Sequence, residues 1–181
     1  MSGGETKLSS STTVSRYQAL VKAGDRAALA SFVIERFEER YFRPVIDSKS
    51  KHGFAVMAIA CLIIETLESF YQGREDTKGE SKKMFRDFFD RHSELGAFGQ
   101  CDGWFFTDIR CGILHQAETR NGWKIIRRGP LLESKTKVIN AAALLKQLQV
   151  AVRRYAKEIQ SDEKLWKNFC KKVDAICKNC Q

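Results

Sequence analysis

The chain has 181 residues, of which 43% are hydrophobic and only 2 are proline, enough for one domain with its own core. Its formal net charge is +9, and the whole excess lies after Trp123, because residues 124–181 hold 14 Lys and Arg against 5 Asp and Glu. The longest apolar run, residues 54–64, is about half of the ~20 residues that a bilayer-spanning helix needs, so we expect a core helix and no membrane partner.

The cysteines and the first residues indicate the compartment. The 6 cysteines do not have the spacing of a disulfide framework, since Cys61 lies in an apolar run and Cys111 follows an arginine. Residues 1–13 are polar and rich in Ser and Thr, without the pattern of a secretory signal, and are predicted to be disordered. We therefore expect a reducing, cytoplasmic setting.

Apolar residues recur at helical spacing through most of the chain. The predicted helices cover residues 14–23, 26–42, 54–72, 80–92, about 104–119, 141–160 and 162–178. Asp25 and Asn140 are predicted N-caps, Arg43-Pro44 is predicted to end the second helix, and Gly73 is predicted to end the central one.

Residues 123–127 break the helical pattern. They contain β-branched residues between two turn signals, Asn121-Gly122 and Gly129-Pro130, and are predicted to pair with a segment of residues 131–139. The predicted fold is therefore an all-α antiparallel bundle with a small β-ribbon inserted around 123–139. It forms one domain over residues 14–181, with basic C-terminal helices at 140–178.

The helix predicted around residues 104–119 has an unusual face. Thr107 or Asp108 is its predicted N-cap, and Phe106, Ile109 and Ile113 form an apolar arc that also contains Arg110. A buried guanidinium needs a partner, because burying it unpaired costs several kcal/mol. Glu65 or Glu68 of the central helix would serve, and so would a phosphate.

The pair Arg110-x4-His115 on such a helix resembles the motif of the HEPN family (higher eukaryotes and prokaryotes nucleotide-binding domains). The resemblance implies a helical bundle that dimerises and cleaves RNA without a metal or another cofactor, with Arg110 and His115 as the catalytic pair. Such proteins are often toxins or defence factors, so an antitoxin protein is a further implied partner. The family commonly has a polar residue after the arginine, where this chain has Cys111. A tyrosine that some members carry two residues after the histidine is replaced by Ala117.

The chemistry follows from the residue types. RNA carries its own nucleophile, the 2′-hydroxyl; a histidine moves protons near pH 7, and an arginine stabilises charge on the phosphate. Residues five apart on a helix point about 140° apart, so Arg110 and His115 of one chain do not converge on one phosphate. A twofold dimer through this helix would resolve the difficulty, as would loosening at Gly112. Glu65 and Cys111 are candidate supporting residues.

The basic third of the chain suggests a path for RNA. Lys124, Arg127 and Arg128 are the candidate RNA-binding residues, and Trp123 has either a base-stacking or a core-packing role. The alternative for the whole basic region is a solvated surface that keeps the protein soluble. Cys177-x2-Cys180 with Cys170 resembles half of a zinc site, but no second half accompanies it, so we expect incidental cysteines and no metal.

Two other functions remain open at this point. One is a non-catalytic dimeric module that binds RNA or a protein partner through the same groove, which Cys111 favours. The other is a structural role in which Arg110 forms a buried salt bridge and His115 is an ordinary surface residue.

Overall fold

The computed structural model describes residues 5–48, 50, 52–99 and 103–180. Nine α-helical segments lie in these ranges: α1 Val14–Ala23, α2 Arg26–Phe37, α3 Arg43–Ile46, α4 Gly53–Gln72, α5 Ser81–Arg91, α6 Gly96–Gly99, α7 Cys111–Gln116, α8 Ala141–Ser161 and α9 Glu163–Asn179. Wider π-helical turns, Glu38–Phe42 and Phe105–Arg110, lead into α3 and α7, and a short 3-10 turn, Ser93–Leu95, precedes α6.

Helix α4 is the centre of the bundle and packs against α5, α8 and α9. Its Phe70 lies with its ring centroid 5.8 Å from Phe37 of α2, 6.2 Å from Tyr155 of α8 and 6.3 Å from Phe169 of α9. One buried aromatic side chain therefore joins four helices, and such contacts stabilise a core beyond the area they bury.

Within the described ranges, α4 is also the one helix long and apolar enough to cross a membrane, with 20 residues and a mean hydropathy of 1.8. Of its most apolar window, 56% is buried inside the bundle, as in the core helix of a folded domain. A single helix of this kind is weak evidence for a membrane span.

A small three-stranded sheet interrupts the helices, with strands β1 Lys124–Ile126, β2 Leu132–Glu133 and β3 Val138–Asn140 in the order β1-β3-β2. Strand β1 runs parallel to β3, and β2 runs antiparallel to it. The prediction of a helical protein with a small β-insertion is thus confirmed. Asp25 and Asn140 are the N-caps that the sequence predicts, accepting from the backbone N–H of Ala28 and Ala143 at 2.9 and 3.0 Å.

The predicted end of the second helix is wrong. The chain continues past Arg43-Pro44 to Ile46, because the π-helical turn Glu38–Phe42 comes first and Pro44 falls in the opening turn of α3. A proline is tolerated in that position, where its missing N–H leaves no hydrogen bond unmade.

Disorder is a wrong prediction for residues 5–13, whereas residues 1–4 lie outside the described part of the chain. Leu8 is fully buried, and its carbonyl accepts from the guanidinium groups of Arg36 and Arg40. The hydroxyls of Ser9 and Ser10 donate to Glu35 at 2.7 and 2.8 Å. A composition typical of disorder is therefore ordered by side chains of α2, which the local sequence does not reveal.

A buried polar cluster lies between α4 and the end of α5. Glu68 is fully buried and accepts two hydrogen bonds from Arg91 at 2.9 and 3.1 Å. His92 is also fully buried, and its Nδ1 lies 3.5 Å from both Glu94 and Arg154. Its Nε2 has no hydrogen-bond partner within the described residues. Burial lowers the pKa of His92, although Glu94 opposes the shift.

This lowered pKa makes the stability depend on pH. The folded protein holds His92 neutral, whereas the unfolded chain takes up a proton near its ordinary pKa of about 6.5. The contribution of neutral His92 to the free energy of unfolding is therefore present above about pH 6.5, and it is lost as the pH falls towards the folded-state pKa. We expect the Tm of the wild type to fall more steeply from about pH 7 to pH 5 than that of His92→Phe, measured by circular dichroism. Parallel profiles would contradict the prediction.

Candidate functional site

The helix that carries Arg110 and His115 differs in shape from the predicted one. Its first part, Phe105–Arg110, is π-helical, its second part is α7, and the junction falls directly after Arg110. Neither predicted N-cap acts as one: Thr107 Oγ1 donates to the Gly103 carbonyl at 3.3 Å. Asp108 is buried and accepts from Asn121 Nδ2 at 2.9 Å.

The helix ends at Gln116 and not at residue 119, because the following loop folds back on it. Ala117 takes a left-handed conformation with φ 56°, and the Arg120 N–H donates to the Asp108 carbonyl at 2.9 Å. The loop backbone passes so close to Gly112 that a Cβ there would lie 2.6 Å from the Glu118 carbonyl oxygen. Gly112 is therefore required for the close approach rather than for a loosened helix.

Arg110 is held by a carboxylate of the central helix. Its Nη2 lies 3.6 Å from Oε2 of Glu65, and its guanidinium carbon lies 5.3 Å from the centroid of the Phe106 ring. The Arg110 side chain is 23% exposed, so the ion pair is screened only in part. Of the two partners that the sequence suggests, Glu65 is the one in contact, since Glu68 pairs with Arg91.

Glu65 is itself fixed by two hydroxyls that no pattern in the sequence connects with it. Its Oε1 accepts from Thr77 Oγ1 and from Ser81 Oγ, both at 2.6 Å. These donors come from the loop after α4 and from the first residue of α5, and no spacing in the sequence connects them to residue 65. The carboxylate is thus oriented before any ligand arrives, which leaves Oε2 facing Arg110.

Cysteines 61 and 111 flank this ion pair. Cys111, the candidate supporting residue, is half-buried. Cys61 is buried, and the loss of hydration raises its pKa to about 12, with Arg110 acting in the opposite direction. A thiol with so high a pKa carries almost no thiolate near neutral pH, so Cys61 does not serve as a nucleophile.

The His115 side chain is exposed on α7, and its imidazole makes no hydrogen bond within the described residues. The structure of one chain does not join it to Arg110 through any hydrogen bond or shared partner. The two residues that the motif pairs are therefore separated, Arg110 towards α4 and His115 towards solvent.

An exposed apolar surface lies between them, which we call the Leu62–Leu114 face. Leu62 of α4 is 52% exposed and Leu114 of α7 is 61% exposed. They line a cavity of about 170 Å³, whose lining is completed by Ala58, Cys61, Glu65, Arg110 and Ile113. Large apolar side chains that are exposed together around a depression are typical of an interaction surface.

The candidate RNA-binding residues lie in another part of the surface. Lys124, Arg127 and Arg128 are exposed, and Arg127 donates to the Ser50 carbonyl at 3.4 Å. Strand β1 contacts the start of α4, which is 12 residues from Glu65 and so roughly 18 Å away along the helix axis. Trp123 is stacked on Trp104 with centroids 3.9 Å apart, which gives it a packing role.

The C-terminal cysteines differ in their exposure to solvent: Cys170 is half-buried, Cys177 is buried and Cys180 is exposed. Among the described residues, no group of three or more His, Cys, Asp or Glu side chains has the arrangement of a metal site. Cys101 lies outside the described residues.

Comparisons of the chain with family models, with characterised proteins and with solved structures find no match in any of the three. The function is therefore argued from the geometry of these residues and from their chemistry.

The close approach at Gly112 yields a test of the loop that closes the site. Gly112→Ala places a methyl group against the Glu118 carbonyl, so we expect a loss of about 1–3 kcal/mol of unfolding free energy in urea. Gly96→Ala is the matched control, because a Cβ at Gly96 meets no atom within 4 Å. Equal stability of the two variants would show that the loop does not pack on α7 as described.

Proposed function

We propose that this protein is a metal-independent endoribonuclease of HEPN type that works as a homodimer. The observation that carries the proposal is the placement of Arg110 beside the exposed Leu62–Leu114 face, with the exposed His115 directly after Leu114. A phosphate-binding cation and a solvent-facing imidazole thus border one apolar surface.

The reaction that these groups support is an internal transfer. The 2′-oxygen attacks the adjacent phosphorus, the bond to the 5′-oxygen breaks, and the products are a 2′,3′-cyclic phosphate and a 5′-hydroxyl. His115 takes the proton of the 2′-hydroxyl, and the departing 5′-oxygen takes a proton from water. Arg110 neutralises the charge that builds on the non-bridging oxygens.

Glu65 supports this assignment of Arg110. A guanidinium has five N–H donors, and an ion pair of 3.6 Å through Nη2 leaves the others for a phosphate. Because Thr77 and Ser81 fix the carboxylate, Arg110 is oriented before RNA binds, and less ordering is needed in the transition state.

A second copy of the chain completes the site. Within one subunit Arg110 and His115 face different ways, whereas a twofold axis through the Leu62–Leu114 face brings His115 of one subunit towards Arg110 of the other. The same association removes Leu62 and Leu114 from water, which favours the dimer. The exposed Lys124 of β1, Arg127 and Arg128 after it, and the basic helices α8 and α9 then continue the path for the RNA strand.

A second candidate is a dimeric module that binds RNA or a protein without cleaving it. The observation that favours it is Cys111, at the position where the HEPN family commonly has a polar residue. Salt-sensitive RNA binding without turnover distinguishes this module from the nuclease.

The first test is cleavage of mixed single-stranded RNA in the presence of EDTA. We expect cleavage by the wild type, and a decrease of about a hundredfold or more in His115→Ala and in Arg110→Ala. His52→Ala is the matched control, since His52 is exposed at the start of α4, away from the cavity. Absence of cleavage by the wild type, or cleavage that both alanine variants retain, contradicts the proposal.

The second test concerns the dimer. A carboxylate in the centre of an apolar interface is left desolvated, so Leu62→Asp and Leu114→Asp should convert a dimer into monomers in analytical ultracentrifugation. Val150→Asp is the control, because Val150 is 47% exposed but lies on α8. A monomeric wild type, or variants that remain dimeric, would rule out this interface.

A further inference from the structure

A second and larger cavity, of about 580 Å³, lies between α5, α6 and the π-helical turn that leads to Arg110. We call it the phenylalanine cavity, because five phenylalanines line it. Phe106 is partly exposed, whereas the other four are at most 3% exposed. Its size falls within the roughly 300–1,000 Å³ that is usual for small-molecule sites. Neither the motif nor the nuclease chemistry uses this space.

The rim of the phenylalanine cavity is basic. Lys82, Lys83 and Arg86 of α5 are exposed along it. Lys83 and Arg86 share one carboxylate, Asp87, at 3.7 and 3.3 Å, whereas Lys82 has no ion-pair partner within the described residues. Among the described residues, these three cations exceed the one carboxylate of the cavity lining, Glu80, which pairs with Arg74 at 3.6 Å.

The cavity shares a wall with the Arg110 site. The Phe106 ring lines the cavity and also lies beneath the Arg110 guanidinium, 5.3 Å from it. Ser81, next to Lys82, donates to the Glu65 carboxylate that holds Arg110. A strand whose scissile phosphate contacts Arg110 would thus have its neighbouring nucleotide at this cavity.

We propose that the phenylalanine cavity binds one nucleotide of a single-stranded RNA beside the scissile phosphate, with the base against the partly exposed ring of Phe106 and a phosphate on Lys82 and Arg86. This inference rests on the proposed nuclease function for the strand's position. Base stacking on aromatic side chains tolerates any sequence, because every base has a flat π-face. The cavity therefore adds binding affinity and determines which phosphate of the strand lies at Arg110, whereas Arg110 and His115 carry out the cleavage.

The test separates binding from cleavage. A fluorescent single-stranded RNA with 2′-O-methyl groups has no nucleophile, so its binding to the His115→Ala protein is read by anisotropy whether or not the protein is a nuclease. We expect Phe106→Ala to weaken binding about tenfold. Lys82→Gln with Arg86→Gln should weaken it about as much and reduce the salt dependence of binding by about one to two phosphate contacts.

Lys22→Gln is the matched control, because Lys22 is exposed on α1, which packs on α2. Unchanged binding in the Phe106 and the Lys82/Arg86 variants overturns the inference, even if the wild type cleaves RNA. Loss of binding in these variants supports the cavity even if the wild type does not cleave. In the active protein the Lys82/Arg86 variant should raise KM and leave kcat unchanged.

Discussion

The ion pair between Glu65 and Arg110 is the constraint on which the site depends. Arg110 is only 23% exposed, and a guanidinium in that environment requires an anion close by. Glu65 can supply it because α4 is fixed in the centre of the bundle, where Phe70 contacts aromatic side chains of three other helices. The hydroxyls of Thr77 and Ser81 then determine which oxygen of the carboxylate faces Arg110. The position of the arginine is therefore set by the core and not by its own short helix.

That dependence explains what the sequence could and could not predict. Helix order, the N-caps at Asp25 and Asn140, and the β-insertion follow from local periodicity and turn residues, and they are found as predicted. The π-helical turns, the burial of Asp108 and the return of the chain over Gly112 depend on contacts between segments. Local propensity contains no information about such contacts.

The candidate site also combines features that the local sequence predicts with features that depend on contacts between segments. The misfit of Arg110 in an apolar arc predicts that it needs a partner, and Glu65, one of the alternatives that the sequence leaves open, is in contact with it. The phenylalanine cavity could not be predicted, because its phenylalanines come from α5, α6 and the π-helical turn and each appears in the sequence as an ordinary core residue. The order of residues 5–13 was missed for a similar reason, since the serines are held by Glu35 of α2.

The proposed function relates three surfaces to one strand of RNA. In this proposal the Leu62–Leu114 face would bring two subunits together and the phenylalanine cavity would receive the base beside the cut. The exposed Lys124, Arg127 and Arg128 would contact phosphates farther along. The first surface depends on apolar burial, the second on stacking and the third on charge. Substitutions can therefore disrupt each surface separately.

The central claim is that Arg110 of one subunit acts with His115 of the other. It is tested most directly by mixing the Arg110→Ala and His115→Ala proteins, each inactive alone, under conditions that let subunits exchange. Half of the dimers are then mixed, and each mixed dimer has one intact site of two, so the account predicts about a quarter of the wild-type RNA cleavage. A mixture as inactive as its components, beside an active wild type, would contradict it.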